Sequence, residues 1–361
     1  MESALYDPQH GYYFRPEMTL GSQGDFITAP EVSFLFGASI AHSILGVLKA
    51  CQNPCVLELG AGSGKLAIDL LRELKYQDCL PEKYFILERS GSLKKLQQEN
   101  LKKALPDFYE KIIWLDRLPE DKNNENNFFE GVILSNEVCD ALPVKIFKKK
   151  ENKIFELCVE FLSDIDGFCR GESCIRPASE DLKQAVLNLE SELGEFPENY
   201  QSEICLILKP WIKSLSQVLK KGMILTIDYG YPRSEYYSAL RSTGTLLCYY
   251  QHKAYEDPFV RIGQQDITAH VDFTNLAEAG IEAGLDLWGY CSQMMFLADA
   301  GIENLSQKIS DVLIRRNALT QLMHPSLMGE QFKVMALGKK INPEELENFQ
   351  GFRLQDDRHR L

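Results

Sequence analysis

The sequence predicts an α/β protein: a doubly wound, mostly parallel, Rossmann-like sheet of seven strands with an N-terminal extension and an inserted hairpin and helices. From residue 55 onward, short continuous apolar runs alternate with amphipathic helices, as they do when helices cover both faces of a parallel sheet. A glycine-rich segment follows the first apolar run, and a helical pattern begins directly after it. With 361 residues, one enlarged domain fits better than two independent units.

The elements are predicted in the following order. Residues 1–50 form a lead-in that ends in a helix, whose start carries a capping box at Thr28 and Glu31 with Pro30 in the first turn. Apolar runs predict strands at 55–59, 84–87, 112–115, 132–134, 223–227, 244–250 and 332–337. Amphipathic spacing predicts helices at 65–76, 91–104, 179–193, 203–221 and 298–322. The core therefore comprises 51–143 and 222–340, with an insertion at 144–221 that contains a hairpin at about 144–162, and a polar tail at 341–361.

Composition and charge exclude several classes of function. The net charge of −13 argues against nucleic-acid binding, which needs a basic face, and favours a cationic partner. The basic run Lys148 to Lys150 is interpreted as a solvated turn, and both the segment 121–127 and the tail after Lys340 as mobile. The ten cysteines form no Cys-x-x-Cys pair, which predicts free thiols, no metal site and a reducing, cytoplasmic location. No apolar stretch is long enough to cross a bilayer.

The glycine-rich segment Glu58-x-Gly60-x-Gly62-x-Gly64 is the first candidate ligand site, because positions without side chains let the backbone approach a ligand closely. A phosphate-binding P-loop does not fit, since Leu59 stands where its first glycine belongs and Lys65 is followed by Leu66. A dinucleotide fingerprint fails when it starts at Gly60. It stays open in the register that starts at Gly62, where Ala67 takes the place of the third glycine.

Acidic residues at the strand ends favour S-adenosylmethionine over these nucleotides. Glu58 inside the loop and Glu88 at the end of the second strand are placed to accept hydrogen bonds from both ribose hydroxyls. Asp116, at the end of the third strand, is a candidate for the adenine region, although surface capping explains it equally well. The opposing interpretation of the whole segment is a structural glycine turn flanked by surface acids.

A pair of carboxylates follows the fourth strand. Glu137 and Asp140 lie three residues apart, so they share one face if a helical turn starts here. A sulfonium donor and a cationic acceptor about 4 Å apart would repel by about 4 kcal/mol at an effective dielectric near 20, and carboxylates would offset that repulsion. A guanidinium especially needs carboxylates to fix its nitrogen beside the methyl group. Acids that stabilise a helix N-terminus explain the pair as well, and this alternative stays open.

His270 lies in a segment that follows the fifth strand, which ends at Asp228-Tyr229-Gly230. A histidine pKa lies near neutrality, which suits a group that orients an acceptor or accepts a proton. A lone histidine is more often a structural residue, so both interpretations of His270 stay open.

Six separated motifs occur in order along nearly the whole chain. They are Ala4-Leu5-Tyr6 with His10-Gly11-Tyr12-Tyr13, Gly24 to Glu31 with Phe36-Gly37, Glu58 to Gly64, Ser135-Asn136-Glu137 with Asp140 to Pro143, Ile227 to Gly230, and Gln265 to Phe273. In these motifs the sequence resembles the MidA-like family, which comprises mitochondrial complex I assembly-factor protein-arginine methyltransferases and their bacterial relatives. Six motifs in order are far more specific than one glycine loop.

The resemblance implies a donor site and an acceptor region. The donor site comprises Gly60, Gly62, Gly64 and Glu88, with the lead-in folded over the cofactor and with Thr28, Pro30 and Asn136 beside it; the acceptor region comprises Glu137, Asp140 and His270. For the mitochondrial relatives the resemblance implies symmetric dimethylation of an arginine in a complex I subunit. Ala61 and Ser63 replace the Pro and Arg that relatives often carry, and Val138-Cys139 replaces a frequent aromatic pair. Backbone does most of the donor binding, so the cofactor prediction survives these changes.

The sequence thus predicts an S-adenosylmethionine-dependent methyltransferase that modifies a protein arginine, in a complex I-type subunit or another protein. One alternative is a non-catalytic assembly or chaperone module that binds a partner protein through the insertion. Bound donor without a methylated product would favour that module. A further alternative is a nicotinamide- or flavin-dependent oxidoreductase, which a comparison of thermal shifts with the methyl donor and with NAD would detect.

Overall fold

The computed structural model describes residues 1–15, 27–119, 129–162, 167–169, 174–347 and 349–361, with the backbone alone at 161–162 and 167–169. Gly24 to Phe26 of the lead-in and the segment 121–127 lie outside these residues. The described strands are β1 Pro54–Leu59, β2 Lys83–Leu87, β3 Ile112–Leu115, β4 Phe129–Asn136, β5 Lys145–Lys150, β6 Lys153–Leu157, β7 Glu160–Leu162, β8 Gly167–Cys169, β9 Ile175–Pro177, β10 Gln201–Ile204, β11 Leu219–Tyr231, β12 Leu247–Tyr250, β13 Lys253–Tyr255, β14 Asp266–Thr268, β15 Val271–Asp272, β16 Asp286–Ser292 and β17 Phe332–Lys339. The described α-helices are α1 Glu2–Tyr6, α2 Ala29–Val32, α3 Phe34–Lys49, α4 Lys65–Tyr76, α5 Gly91–Ala104, α6 Glu180–Leu193, α7 Leu208–Val218, α8 Arg233–Tyr236, α9 Phe273–Glu282, α10 Gln293–Asp299, α11 Ile302–Ser306 and α12 Val312–Met323.

The central sheet has the strand order β3-β2-β1-β4-β11-β17-β16. Its first five strands are parallel, and β17 runs antiparallel to both β11 and β16. The order reverses between β1 and β4, which are neighbours in the middle of the sheet. In such a sheet, ligands bind beyond the carboxyl ends of the strands at this switch point. The predicted doubly wound, mostly parallel seven-stranded fold is confirmed.

Two apolar layers cover the faces of the sheet. Val56 and Tyr84 point to the layer of α3 and α4, whereas Leu57 and Ile133 point to the layer of α7 and α9. Successive residues of a strand face opposite sides, so a strand that is covered on both faces must be apolar throughout. The continuous apolar runs of the sequence follow from this burial. None of the described helices is long and apolar enough to span a membrane.

Residues 1–15 pack on a small sheet with the order β13-β12-β14. Leu5 and Tyr12 are buried there against Cys248 on β12 and Ile267 on β14. This contact anchors the first part of the lead-in to the strand that precedes the His270 segment. Strand β15 follows directly and pairs with the end of β11, which joins this unit to the central sheet.

The insertion carries a further sheet with the order β10-β5-β6-β9, on which α6 packs. The interpretation of Lys148 to Lys150 as a solvated turn is wrong for Lys149. Its side chain is buried and donates to Glu190 Oε1 on α6 at 2.6 Å. A buried ammonium group requires such a partner, and β5 continues through the basic run instead of turning there.

The capping box predicted at Thr28 is not formed. Thr28 precedes the short helix α2, but its side chain makes no capping hydrogen bond. The long helix α3 begins at Phe34, where the Ser33 hydroxyl accepts from Leu35 N at 3.3 Å. The periodic apolar pattern therefore predicts this helix correctly, but its N-cap is Ser33 and not Thr28.

Two long helix predictions are divided in the structure. The predicted helix 203–221 is shortened to α7, because β10 pairs with β5 and the buried Glu203 accepts from Thr245 N and Leu246 N. The predicted helix 298–322 consists of the end of α10, then α11 and α12. Gly301, with φ +84°, separates the first two, and the Asp311 side chain caps the third.

One strand of the central sheet was missed. The apolar run 244–250 does form a strand, β12, but in the small sheet. The edge position of the central sheet belongs to β16, where Gly289 interrupts the apolar run and the register shifts between Leu287 and Gly289. Phe352 packs on Gly289 so closely that a Cβ there would lie 2.3 Å from its ring.

The segment after Lys340 is not the free polar tail that its composition predicts. The Phe352 ring packs on Phe296 with a centroid distance of 5.6 Å, and Phe349 packs on Trp288 at 5.5 Å. Asp299 Oδ2 on α10 accepts from Gly351 N at 2.5 Å. Apolar residues spaced through a mainly polar segment, among them Ile341, Leu346, Phe349 and Phe352, therefore attach it to the core.

Candidate active site

The glycine-rich loop lies at the carboxyl end of β1. Gly60, Gly62 and Gly64 have φ values of +61°, +53° and +83°, in the left-handed region that favours glycine. Gly60 N donates to Leu87 O at 3.1 Å, which ties the loop to the end of β2. Gly64 is the N-cap residue of α4. The loop therefore presents bare backbone beside a helix N-terminus, where a ligand can approach closely.

Glu58 and Glu88 are both buried beside this loop. Glu58 Oε2 accepts from the Tyr84 hydroxyl at 2.7 Å, and burial raises the pKa of Glu58 to about 7. Glu88 Oε1 accepts from Ser90 N at 2.8 Å, and burial raises the pKa of Glu88 as well. A carboxylate offers about four acceptor positions, so Glu88 keeps capacity for the hydroxyl donors that the sequence predicts it to bind.

Gln97 on α5 joins the loop to Glu88, and sequence analysis missed it. Its Nε2 donates to Gly62 O at 3.0 Å and to Glu88 Oε2 at 2.9 Å, while its Oε1 accepts from Trp114 Nε1 at 3.0 Å. The side chain is fully buried. A polar residue spaced four positions from both Leu93 and Leu101, on the apolar face of an amphipathic helix, is the signal that could have identified it.

The predicted carboxylates Glu137 and Asp140 lie in a turn at the end of β4, beside the glycine loop. A Cβ at Gly60 would lie 3.6 Å from Val138 of this turn. Glu137 has φ +52°, and its Oε1 accepts from Asn136 Nδ2 at 3.1 Å. Asp140 is 5% exposed, and its Oδ2 accepts from the Tyr229 hydroxyl. The structure thus brings the predicted pair and Asn136 together next to the predicted donor loop.

Two oxygen atoms of this turn are buried and have no hydrogen-bond partner within the described part of the chain. They are Asp140 Oδ1 and Asn136 Oδ1. Buried polar atoms are nearly always paired, and an exception in a native structure needs an explanation. Both atoms only accept hydrogen bonds, so a ligand rich in N–H donors is the partner that they fit.

Asp228, at the end of β11, holds the turn in place. Its Oδ2 accepts from Val138 N at 3.2 Å, Cys139 N at 2.9 Å and Asp140 N at 3.3 Å. Its Oδ1 accepts from Tyr229 N at 2.9 Å. The sequence predicts a strand end at Asp228 but no role for its side chain. Its role depends on pairing with residues about ninety positions away, which no local pattern reveals.

Burial and mutual repulsion raise the pKa values of the carboxyl groups in the turn. Burial is the main cause for Glu137, whose pKa rises to about 8, and the nearby Asp140 contributes. Burial also raises the pKa of Asp140 to about 6, against the hydrogen bond from Tyr229. For Asp228, burial raises the pKa and the amide donors oppose the rise. Without a bound cation, therefore, Glu137 is largely protonated at neutral pH.

His270 lies one side chain away from Asp140. Its ring stacks on Tyr231 with a centroid distance of 5.3 Å and meets the edge of Tyr229 at 5.0 Å, while the Tyr229 hydroxyl donates to Asp140. Burial, with the charge of Arg241, lowers the pKa of His270 to about 4, so the ring is neutral at physiological pH. His270 Nδ1 is buried without a partner in the described residues. Its predicted catalytic role stays a prediction.

The short helix α2 of the lead-in connects the turn after β4 with the glycine loop. The amide of Ala29 in α2 lies at the Glu137 carboxyl group and lowers its pKa, and the Glu31 carboxylate accepts from the Ser63 hydroxyl in the glycine loop. Thr28 and Pro30 belong to this same segment, and Pro30 is buried. Their predicted contact with the cofactor stays a prediction.

Asp116 lies at the outer edge of the site. Its side chain is 81% exposed, and its Oδ1 accepts from Lys94 Nζ at 3.1 Å. Lys94 belongs to α5, the helix that carries Gln97. A surface ion pair of this kind contributes little stability, so the structure gives Asp116 a clear position at the end of β3 but no buried role. Its predicted contact with the adenine region stays a prediction.

Comparison with known proteins identifies the family. A family model described as "Putative S-adenosyl-L-methionine-dependent methyltransferase" matches residues 39–291. The chain belongs to this family. Membership confirms the predictions of a methyltransferase, of S-adenosylmethionine as its cofactor and of the MidA-like group.

Relatives and solved structures agree with this assignment. The chain is 27% identical to "Protein arginine methyltransferase NDUFAF7 homolog, mitochondrial" of Drosophila melanogaster, over 97% of this chain and 82% of that protein. It is 28% identical to the Homo sapiens protein of corresponding name, over 93% and 78% of the two chains. A crystal structure from Burkholderia thailandensis, bound to S-adenosyl-homocysteine, is 36% identical with a TM-score of 0.88, covering all of this chain and 90% of that one.

The residues at the switch point fit this cofactor. The glycine loop would offer backbone to the adenosyl moiety, and Glu88 and Glu58 would offer carboxylates to hydroxyl and cationic groups, as the sequence predicts. Gln97 and Asp228 hold these two sides of the site in fixed positions through buried hydrogen bonds. When bound, S-adenosylmethionine supplies an electrophilic methyl group. The chain's own residues then have to bind an acceptor, orient its nucleophile and exclude water.

Proposed function

We propose that this methyltransferase transfers its methyl group to an arginine side chain of a protein. The observation that carries the proposal is the buried Asp140 Oδ1, which has no partner in the described residues, next to Glu137 and beside the donor loop. An unpaired carboxylate oxygen in a buried site is costly unless a hydrogen-bonding cation binds to it. The acceptor that relieves this cost is therefore a cation with N–H donors.

The arrangement suits a guanidinium better than an ammonium. The available oxygen atoms belong to several side chains around one turn: Asp140 Oδ1, Asn136 Oδ1 and the Glu137 carboxyl group. A guanidinium presents five N–H donors in a fixed plane, whereas an ammonium presents three on a compact charge. Several acceptors around one turn can therefore hold a guanidinium in a single orientation, with one nitrogen directed to the donor loop.

The relatives support the same acceptor. Those named protein arginine methyltransferases align with nearly all of this chain, although at 27–28% identity. A complex I-type subunit, which the family resemblance implies for the mitochondrial relatives, is the first acceptor protein to test. The cytoplasmic location that cysteine usage predicts belongs to this proposal as well.

Alignment supplies most of the rate in this proposal. Direct displacement at a methyl group needs little acid–base catalysis, and effective concentration from orientation can lower the barrier by roughly 7–11 kcal/mol. Glu137 and Asp140 hold the guanidinium, and Asp140 Oδ1 also lies where it can accept the proton that the nitrogen loses. Tyr229 fixes the other oxygen of Asp140. The carboxylates also offset the repulsion between the two cations.

The test uses purified protein, isotope-labelled S-adenosylmethionine and three peptides that differ only in an arginine, lysine or citrulline, with detection by mass spectrometry. The proposal expects methylation of the arginine peptide. Glu137→Gln and Asp140→Asn should each keep donor binding but reduce transfer at least a hundredfold, as misplacement of a reacting group does. Asp107→Asn, at an 83% exposed acid, is the matched control. Normal transfer by both site variants would exclude the proposed role of Glu137 and Asp140 in holding the guanidinium. Donor binding with no methylated product, from the peptides or from added cell extract, would favour the non-catalytic module.

A further inference from the structure

We propose that Tyr6, Tyr13 and Asp266, together called the wall, form part of the site that binds the acceptor arginine beside Glu137 and Asp140. The wall selects a guanidinium by stacking on it and by offering it a third carboxylate. This inference rests on the proposed function, since it names further specificity-determining residues of the same site. None of the three residues was a predicted site residue. They come from two distant parts of the chain, the first fifteen residues and strand β14.

The two tyrosines connect Asp266 to the Asp140 turn. The Tyr6 hydroxyl donates to Ala141 O, directly after Asp140, at 2.9 Å. The Tyr13 hydroxyl donates to Asp266 Oδ1 at 2.9 Å. The two rings stack with a centroid distance of 5.6 Å and an interplanar angle of 28°. A continuous aromatic surface therefore extends from the Asp140 turn to Asp266.

The surface is fixed in place before any acceptor binds. Leu5 and Tyr12, the neighbours of the two tyrosines in sequence, are buried against Cys248 and Ile267 of the small sheet. The sheet also reaches the turn directly, because Ala269 N donates to Asp140 O at 3.0 Å. A binding wall that is already ordered costs little entropy when a ligand arrives.

The charges around this wall favour a cation. Asp140 and Asp266 both raise the pKa of Tyr6, Tyr13 and Tyr249, so the three phenols lie close to the two carboxyl groups. Burial is the larger cause for each, and the phenols therefore stay neutral hydrogen-bond donors. Arg89, which is exposed, is the positive charge whose field reaches Tyr6. Two carboxyl groups beside aromatic rings form an environment that suits a cationic ligand.

A guanidinium can use both features of this wall at once. Its flat face stacks on aromatic rings, while its edge donates to carboxylate oxygens. The buried Asp140 Oδ1, without a partner in the described residues, belongs to the same turn that Tyr6 contacts through Ala141 O. An ammonium gains from the charge but less from stacking. The wall should therefore increase the preference for arginine over lysine, beyond the effect of Glu137 and Asp140 alone.

Three variants separate the contributions of ring, hydroxyl and carboxylate. Tyr13→Phe keeps the ring and removes the hydrogen bond to Asp266, Tyr13→Leu also removes the ring, and Asp266→Asn removes the charge. Tyr76→Phe, at a 75% exposed tyrosine on α4, is the matched control. Asp266 Oδ1 also accepts from Ile267 N, so Asp266→Asn could disturb the fold, and the two Tyr13 variants keep the inference testable in that case.

The measurement is calorimetric binding of arginine, lysine and citrulline peptides to the protein saturated with S-adenosylhomocysteine, followed by kcat and KM for turnover. We expect Tyr13→Leu and Asp266→Asn to weaken arginine-peptide binding roughly tenfold or more, with Tyr13→Phe in between, and to reduce the preference over lysine. Affinity for S-adenosylhomocysteine and kcat at saturating peptide should stay within about twofold of wild type, as for a residue that acts on binding alone.

The outcomes distinguish this inference from the proposed function. If wild-type protein binds and methylates the arginine peptide, but the Tyr13 and Asp266 variants bind it with unchanged affinity and preference, the wall is excluded and the proposed function stands. If wild-type protein neither prefers the arginine peptide in binding nor methylates it, both are overturned. If the variants bind all peptides more weakly but keep the preference for arginine over lysine, the wall contributes to general peptide binding. That result would also overturn the inference that the wall selects a guanidinium.

Discussion

The protonation of Glu137 makes acceptor binding depend on pH in a direction that the structure fixes. Burial, with Asp140 as a further cause, raises the pKa of Glu137 to about 8, and Asp228 and Asp266 are the other acids near it. Only the ionised carboxylate attracts a guanidinium, which itself keeps its charge throughout the accessible pH range. Acceptor binding should therefore strengthen as pH rises towards 8 and should level off above it.

The size of the effect follows from the pKa. With a pKa near 8, roughly one Glu137 in eleven is ionised at pH 7, so removing the proton costs about 1.4 kcal/mol and lowers the apparent acceptor affinity roughly tenfold. At pH 6 the loss should approach a hundredfold. By linkage, the bound cation must also lower the pKa of Glu137, so that acceptor binding at pH 7 releases close to one proton.

The assay is kcat/KM for an arginine peptide between pH 6 and pH 9 at saturating donor, together with calorimetry in two buffers of different ionisation enthalpy. We expect a log kcat/KM slope near one between about pH 7 and pH 8, a steeper slope towards pH 6, where Asp140 with its pKa of about 6 also takes up a proton, a plateau above pH 8, and proton release on peptide binding. Glu137→Gln should have low activity and no such slope. Donor affinity, measured over the same range, controls for the titration of Glu58. A flat profile with no proton release would refute the assignment of Glu137 as the titrating partner of the acceptor.

Three further predictions concern residues that shape the site. Gly62→Val should abolish donor binding in calorimetry, because a β-branched residue is strained at φ +53° and distorts the glycine loop itself, whereas Gly284→Val, strained in the same way at φ +78° but outside the loop, should keep it. Gln97→Met removes the partner of Gly62 O, Trp114 Nε1 and the buried Glu88 Oε2, and should lower the free energy of unfolding by about 1–3 kcal/mol, and donor affinity with it. Asp228→Asn places an amide against Tyr229 N and should slow single-turnover transfer tenfold or more while donor affinity is kept; unchanged transfer would exclude a positioning role.

Local sequence patterns were sufficient for most of the fold. The apolar run at Val56 and Leu57 predicts a strand because this strand is buried on both faces, and the helix at 65–76 has the bounds that its amphipathic spacing predicts. Strand β16 escaped prediction because Gly289 breaks its apolar run, and the glycine is needed only because Phe352 packs on it from sixty residues away. Lys149 was assigned to solvent because its partner Glu190 lies on a helix whose docking the sequence does not reveal.

The candidate site divides in the same way. Glu137 and Asp140 could be found because both lie in one turn after an apolar strand, and the glycine loop could be found from its spacing. Asp228 acts through hydrogen bonds to backbone amides of another element, so its side chain gives no local signal in the sequence, whereas Gln97 is marked only by a polar side chain on the apolar face of α5. Residues that touch ligand tend to sit at strand ends and are predictable; residues that position them depend on tertiary contacts.

The backbone at Glu137 shows how this positioning is achieved. Asn136 is the last residue of β4 to pair with β11, opposite Ile227, and Glu137 N still donates to Ile227 O at 2.9 Å. The chain must then turn sharply, which places Glu137 at φ +52°, a conformation that costs a residue with a side chain about 1–3 kcal/mol. Asp228 offsets this cost by accepting from the next three amides of the turn, since a hydrogen bond of this kind contributes about 0.5–1.5 kcal/mol. The strand pairing that ends β4 also brings Asp228 to the turn. The register of the sheet therefore holds the carboxyl groups of Glu137 and Asp140 beside the glycine loop.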